Sequence, residues 1–133
     1  MKKAGYSLYL EGLIKKGYKG NPSGYYKIHK ENKMTGQETQ NLIFGKTMAG
    51  FAFGTPWAKK INISGESETT DFQGNHKGKI WIEGDEVYEQ YETRYKGLID
   101  CCEIYKNPEG DKKSLSEYLL LTDWWILPFS IIK

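Results

Sequence analysis

The spacing of apolar positions changes near residue 45. Upstream of it they recur at helical intervals. Tyr6, Leu10, Leu13 and Ile14 share one side of a helix over residues 4–16, although Gly12 interrupts the pattern and a strand fits the same letters nearly as well. The GYKGNPSG that follows reads as a loop. At 35–38 the run TGQE carries a helix start. Thr35 can accept from the amides of the first turn while Glu38 reaches back to the amide of Thr35, a capping box. That helix is expected to pass through Leu42, Ile43 and Phe44 and to stop at Gly45, which tolerates the left-handed backbone of a helix end. It is barely over two turns, so tertiary packing has to hold it.

Downstream of Gly45 no helical period is left, and short alternating runs of β-formers take over. Strands are expected over residues 47–53, around Ile61 and Ile63, over 69–72 with Gly74-Asn75 ending it, and over 79–83 and 86–95. They continue over 98–106, closed by the turn NPEG, then 118–121 and 125–132. Pro128 cannot donate to a ladder, which predicts that the last strand lies at an edge or is bulged. About eight strands at such regular spacing predict a mainly β fold: an antiparallel meander closed or nearly closed into a small barrel, with one or two short N-terminal helices.

The stretch GKIWIEGDEVYEQYE at 78–92 predicts more detail. With Gly84-Asp85 as a two-residue turn, Ile82 faces Val87, Ile80 faces Glu89 and Trp81 faces Tyr88. Ile80, Ile82, Val87, Tyr91 and Tyr95 then share one face, and Trp81 and Tyr88 pair on the other. Both faces want cover, and the pattern alone leaves open which of them is the interior.

Composition narrows the function classes. At 133 residues the chain fits a single domain, a basic, Tyr-rich segment at 1–33 followed by a capped helix and barrel at 34–133. Ten Tyr, four Trp and fifteen Gly suit strands and the turns between them. The net charge of +2 hides an asymmetry: eight Lys against Glu11 and Glu31 give +6 over residues 1–33, leaving −4 on the remainder. This basic leader is either a handle for a phosphate-bearing surface or a solvated lysine-rich face, and the second is the simpler expectation. No stretch is long and apolar enough for a transmembrane helix, since Thr122-Asp123 and Pro128 break the best one. The start MKKAGYSLYLEGLIKKG has the positive beginning of a signal peptide, but Glu11 interrupts its centre. An exported protein of this sequence would have lost its signal.

Taken in order, TGQETQNLIFGKT, GKIWIEGDEVYEQYE and CCEIYKNPEG resemble small bacterial lipocalin-like domains of unknown function, over about residues 34–133. The resemblance implies a lipocalin-like barrel and a periplasmic or secreted address, with a cytoplasmic one still open. It implies no catalytic residues. Members of that family tend to carry a Cys on the second hairpin strand that bridges to the later strand; here Val87 and Tyr88 stand at those positions.

Most candidate chemistry falls away on inspection. Gly45-Lys46-Thr47 suggests a phosphate loop, but Gln40 stands where that motif needs its first glycine, and the helix precedes the triplet instead of following it. His29 and His76 are the only imidazoles and lack a second ligand at a metal-binding spacing, while Cys101 and Cys102 point to opposite faces of a strand. No metal and no cofactor are expected. Tyr18, Tyr25 and Tyr26 alternate with Lys19, Lys27 and Lys30, as in platforms for single-stranded nucleic acid, yet tyrosines packed on the core explain the same letters and nucleic acid is disfavoured. Glu89 is the exceptional acid, because it falls on the face of Ile80, Val87 and Tyr91. Either it is a general acid or ligand contact, or the twist lets it reach water or Arg94, the only arginine.

The expected function is therefore non-enzymatic: a barrel holding a small apolar or amphipathic ligand, with Trp57, Trp81, Tyr88, Glu89, Tyr91 and Trp125 as contacts. Two alternatives stand beside it. One is a protein–protein interaction module using exposed aromatics such as Trp81 and Tyr88. The other is a small barrel enzyme using Glu89 or a cysteine.

Overall fold

The computed structural model describes residue 26 and residues 28–52, 54–122 and 126–132. The expected helix over 4–16, the Tyr- and Lys-rich run before residue 26, and Trp125 lie outside the described residues. Eight strands, β1 (Thr47–Ala52), β2 (Thr55–Ile61), β3 (Glu66–Asp71), β4 (Gly74–Glu83), β5 (Glu86–Tyr91), β6 (Ile99–Lys106), β7 (Tyr118–Leu121) and β8 (Ile126–Ile131), pair in chain order and close on themselves. Every pairing is antiparallel, and closure leaves no free sheet edge.

Among the described residues one short α-helix, α1 (Gly36–Ile43), precedes the barrel. Its capping box forms as expected: Thr35 Oγ1 accepts from the Glu38 amide at 3.1 Å, and Glu38 Oε1 accepts from the Thr35 amide at 2.9 Å. Gly45 ends it with φ +77°. The helix lies across one end of the barrel. There the Gly36 amide donates to Asp85 Oδ1 at 2.7 Å, and a side chain on Gly36 would run into the Gly84 carbonyl and Ile82. Ile43 and Thr39 are fully buried, and Leu42 and Phe44 pack against Met34, Met48, Ile61, Ile80 and Val87. This end of the barrel is plugged by side chains.

The hairpin adopts the expected register, Ile82 against Val87, Trp81 against Tyr88 and Ile80 against Glu89. Its burial decides the question of faces. Ile80, Val87, Glu89 and Tyr91 are buried inside, and Trp81 and Tyr88 stack on the outer surface with centroids 5.9 Å apart. Several boundaries move. Ile63 is 83% exposed and lies in a turn after β2, because the strand's inward period ends with Ile61. Phe72 is likewise an exposed turn residue, and Gly74-Asn75 opens β4 instead of ending β3. Tyr95 leaves the hairpin for a 3-10 turn. Pro128 does not mark an edge: β8 is the closing strand. Its registered pairs with β1 are limited to Ile131 and Ser130, so the ladder stops short of the proline.

Candidate functional site

Pairing fixes which side chains point inward. From the core outward these are Met48 and Ala52 on β1; Ile61, Lys59, Trp57 and Thr55 on β2; and Ser67, Thr69 and Asp71 on β3. Ile80 and His76 follow on β4, Val87, Glu89 and Tyr91 on β5, and Ile104, Cys102 and Asp100 on β6. Toward α1 this set is made of large aliphatics. Toward the far end it becomes small or polar, and the helix does not reach there. The volume left open is a cavity of about 310 Å³, whose lining includes Phe72 and Gln73 after β3 and Arg94 and Tyr95 after β5. An eight-stranded barrel has room for one small ligand or for its own side chains, and here the two share the interior.

The floor of the cavity is charged. Lys59 Nζ donates to Glu89 Oε1 at 2.5 Å, and both side chains are about nine-tenths buried. Burial works against the Lys59 charge, but Glu89 and Tyr91 more than offset it and hold the ammonium's pKa above its usual value. The ammonium also sits 5.5 Å from the centre of the Tyr91 ring, whose hydroxyl is hydrogen-bonded to Thr69 Oγ1 at 3.2 Å. Glu89 Oε2 is buried with no hydrogen-bond partner among the described residues. The carboxylate does not meet Arg94, one of the two outlets expected for it: the guanidinium pairs with Asp71 and Gln73.

Arg94 instead organises the rim. Its guanidinium meets Asp71 Oδ2 at 3.1 Å and Gln73 Oε1 at 2.8 Å while stacking over Tyr95 and Tyr91. His76 Nε2 lies 3.1 Å from the other oxygen of Asp71, which also accepts from the Gln73 amide. Tyr95 and Lys96 both adopt φ +56°, a strained conformation for residues with a side chain, and this turn places Tyr95 edge-on to Tyr91 at 5.8 Å. Partial burial opposes the Asp71 charge, but the Gln73 amide, His76 and Arg94 outweigh it and hold its pKa below the usual carboxylate value. On the far side of the barrel the Tyr105 hydroxyl and Lys33 do the same for Glu103.

Both carboxylates ionise more readily folded than unfolded. Their contribution to stability is therefore complete above the unfolded pKa and disappears as pH falls through the lower folded values. The urea midpoint is expected to hold between about pH 7 and 5 and to drop below about pH 4. Asp71→Asn is expected to flatten part of that acid limb. An acid limb unchanged in this variant would show that Asp71 gains nothing from its partners.

Of the residues singled out in the sequence, Trp57, Glu89 and Tyr91 line the cavity. Trp81 and Tyr88 lie on the outer face and do not, and Trp125 is outside the described residues. The sequence reading missed Lys59, Asp71 and Thr69, and it knew Arg94 only as a possible partner of Glu89. For Lys59 the signal was present. Trp57, Lys59 and Ile61 alternate along one strand, so an inward Trp and Ile place the lysine inside with them.

Cys102 faces inward opposite Val87, and Cys101 faces out opposite Tyr88; neither forms a disulfide. Burial, reinforced by the charge of Glu89, pushes the Cys102 thiol up to about 12. Among the described residues no group of His, Cys, Asp and Glu converges to hold a metal ion, and no helix is long and apolar enough to cross a membrane. No protein-family model, curated protein or solved structure matches the chain. Its fold rests on the geometry above: an eight-stranded, antiparallel, closed barrel.

Proposed function

We propose that the protein is a lipocalin-like, non-enzymatic binding barrel that takes a small amphipathic molecule into its open end. The observation that carries this reading is the cavity between Trp57, Tyr91, Leu120 and Leu127, open at the rim and floored by the Lys59–Glu89 pair. Its 310 Å³ is at the small end of ligand pockets, with room for roughly ten heavy atoms at the share of volume a liquid water takes. Burying about 200 Å² of apolar ligand surface contributes about 5 kcal/mol, which corresponds to a dissociation constant of roughly 0.1–1 mM. The resemblance to lipocalin-like domains belongs to this proposal, and an exported address goes with it.

Two features support a binding role over an enzymatic one. Glu89 is already neutralised by Lys59, and the Cys102 thiol is too weakly acidic to act as a nucleophile near neutral pH. The outward Trp81–Tyr88 pair is accounted for within the sheet. The rings stack on each other, the Trp81 indole donates to Glu83, and Lys79 lies over the Trp81 ring, so we assign the pair no partner.

Titration with small neutral amphiphiles, followed by amide and indole NMR shifts, tests the reading. Shifts are expected at Trp57, Tyr91 and Arg94 and not at Trp81. Ala52→Trp, which fills the mouth from the end of β1, is expected to abolish them while the spectrum stays folded. Shifts confined to the outer face, or none at saturating ligand, would overturn the proposal.

A further inference from the structure

Resting on that reading, we infer that the cavity selects uncharged head groups that donate a hydrogen bond, alcohols and primary amides on a compact apolar body, and rejects the matching carboxylates. The inference comes from how the charges around the cavity are already spent. Among the described residues, Lys59 and Arg94 line it against Asp71, Glu89 and Asp100. Each cation has its own carboxylate, Lys59 with Glu89 at the floor and Arg94 with Asp71 at the rim. Arg94 is further engaged by Gln73 and by two tyrosine rings.

An entering carboxylate thus finds no uncommitted cation among the described residues that line the cavity. To bind Lys59 it must displace Glu89, leaving that acid buried without its partner, or else stand beside it as a further negative charge in a site that excludes most water. A fatty acid, whose apolar tail suits the walls, is excluded by its head. A donor meets the opposite situation. Glu89 is nine-tenths buried and forms part of the cavity wall, and its Oε2 accepts nothing from any described residue. Oε2 itself exposes almost no surface, so a small turn of the carboxylate has to bring it to the cavity. A hydroxyl or amide N–H that meets it there gains a charge-assisted bond and removes the cost of an unsatisfied buried acceptor. An ammonium would reach the same oxygen, but only by approaching the Lys59 charge on the neighbouring Oε1. The neutral donor satisfies the carboxylate without adding charge of either sign.

Three ligands of nearly equal length separate these cases: 1-octanol, octanamide and octanoate, titrated at pH 7.5 by calorimetry against the full chain. Octanol and octanamide are expected to bind at least tenfold more tightly than octanoate. In Glu89→Gln the order is expected to reverse, because Lys59 then lacks a counter-ion and the ligand carboxylate supplies one. Octanoate binding as tightly as octanol to the wild-type protein overturns the inference while leaving the cavity's binding role intact. An unchanged order in Glu89→Gln overturns it as well. Binding by none of the three removes both this inference and the proposed function. The wild-type comparison needs no variant, so it decides the matter if Glu89→Gln fails to fold.

Discussion

Glu89→Ala is expected to lower the unfolding free energy by about 3–5 kcal/mol, the range seen when one member of a buried ion pair is removed. The loss reflects the state left behind more than the contact removed. Lys59 is buried on β2 with Glu89 as its carboxylate partner, and without it the ammonium must either stay charged in a site poor in water or give up its proton. A double variant, Lys59→Met with Glu89→Leu, removes both charges and keeps the volume. It is expected to be within about 1–2 kcal/mol of wild type or more stable, since apolar replacements of buried pairs commonly break even. Urea unfolding of the two single variants and the double one gives the coupling directly. A single-variant loss below about 0.5 kcal/mol would mean that the floor of the cavity is well solvated, the regime of surface pairs. If the double variant folds as well as wild type, stability does not account for the pair. The proposed discrimination between head groups would then be a role for these two buried charges that stability does not supply.

The architecture was legible in the sequence because it depends on local signals that survive folding. Thr35 and Glu38 make their capping box from four consecutive residues, and Gly84-Asp85 sets the β4–β5 register without help from the rest of the chain. Period-two alternation then carries the strands. The misplacements share a cause. Ile63 and Phe72 are apolar yet exposed in turns, and alternation alone cannot say that a strand has stopped when the next apolar residue falls in phase with it. Pro128 predicts an edge or a bulge because proline is excluded from complete ladders. In a closed barrel the same requirement is met by a ladder that is short on one side.

The site was less legible, and for a different reason. Glu89 and Tyr91 follow from face assignment within one hairpin, whereas Trp57 stood among the expected contacts only as an aromatic residue. Pairing Lys59 with Glu89, or Arg94 with Asp71, requires knowing which strands lie across the interior, information that no local pattern holds. Which face of the hairpin turns inward was also undecidable, since the rings of Trp81 and Tyr88 offer as large a surface to bury as Ile80 and Val87 do. Barrel closure decides it, by giving the aliphatic face a common interior with Ile61, Ile104 and Phe129.

Phe129→Ala is expected to cost about 3–5 kcal/mol, with a fall in melting temperature of about 10–20 °C. Phe129 has no exposed surface and stacks on Tyr118 with ring centroids 5.5 Å apart. Its position on the closing strand gives the loss a direction. β4 and β5 are joined by six registered pairs, whereas β8 and β1 share two. Backbone hydrogen bonds hold the hairpin, but the seam depends on the side chains that β8 inserts into the core. Truncating Phe129 is therefore expected to loosen the seam first. Amide exchange should accelerate most at residues 130–132, where the Ile132 amide donates to the Thr47 carbonyl, and least in the β4–β5 hairpin. Phe129→Leu keeps most of the volume and is expected to cost less than about 1.5 kcal/mol, with exchange at the seam close to wild type. Equal acceleration across all eight strands in Phe129→Ala would show that the barrel opens only as a whole, and that packing at β8 is no weaker a closure than the ladders elsewhere.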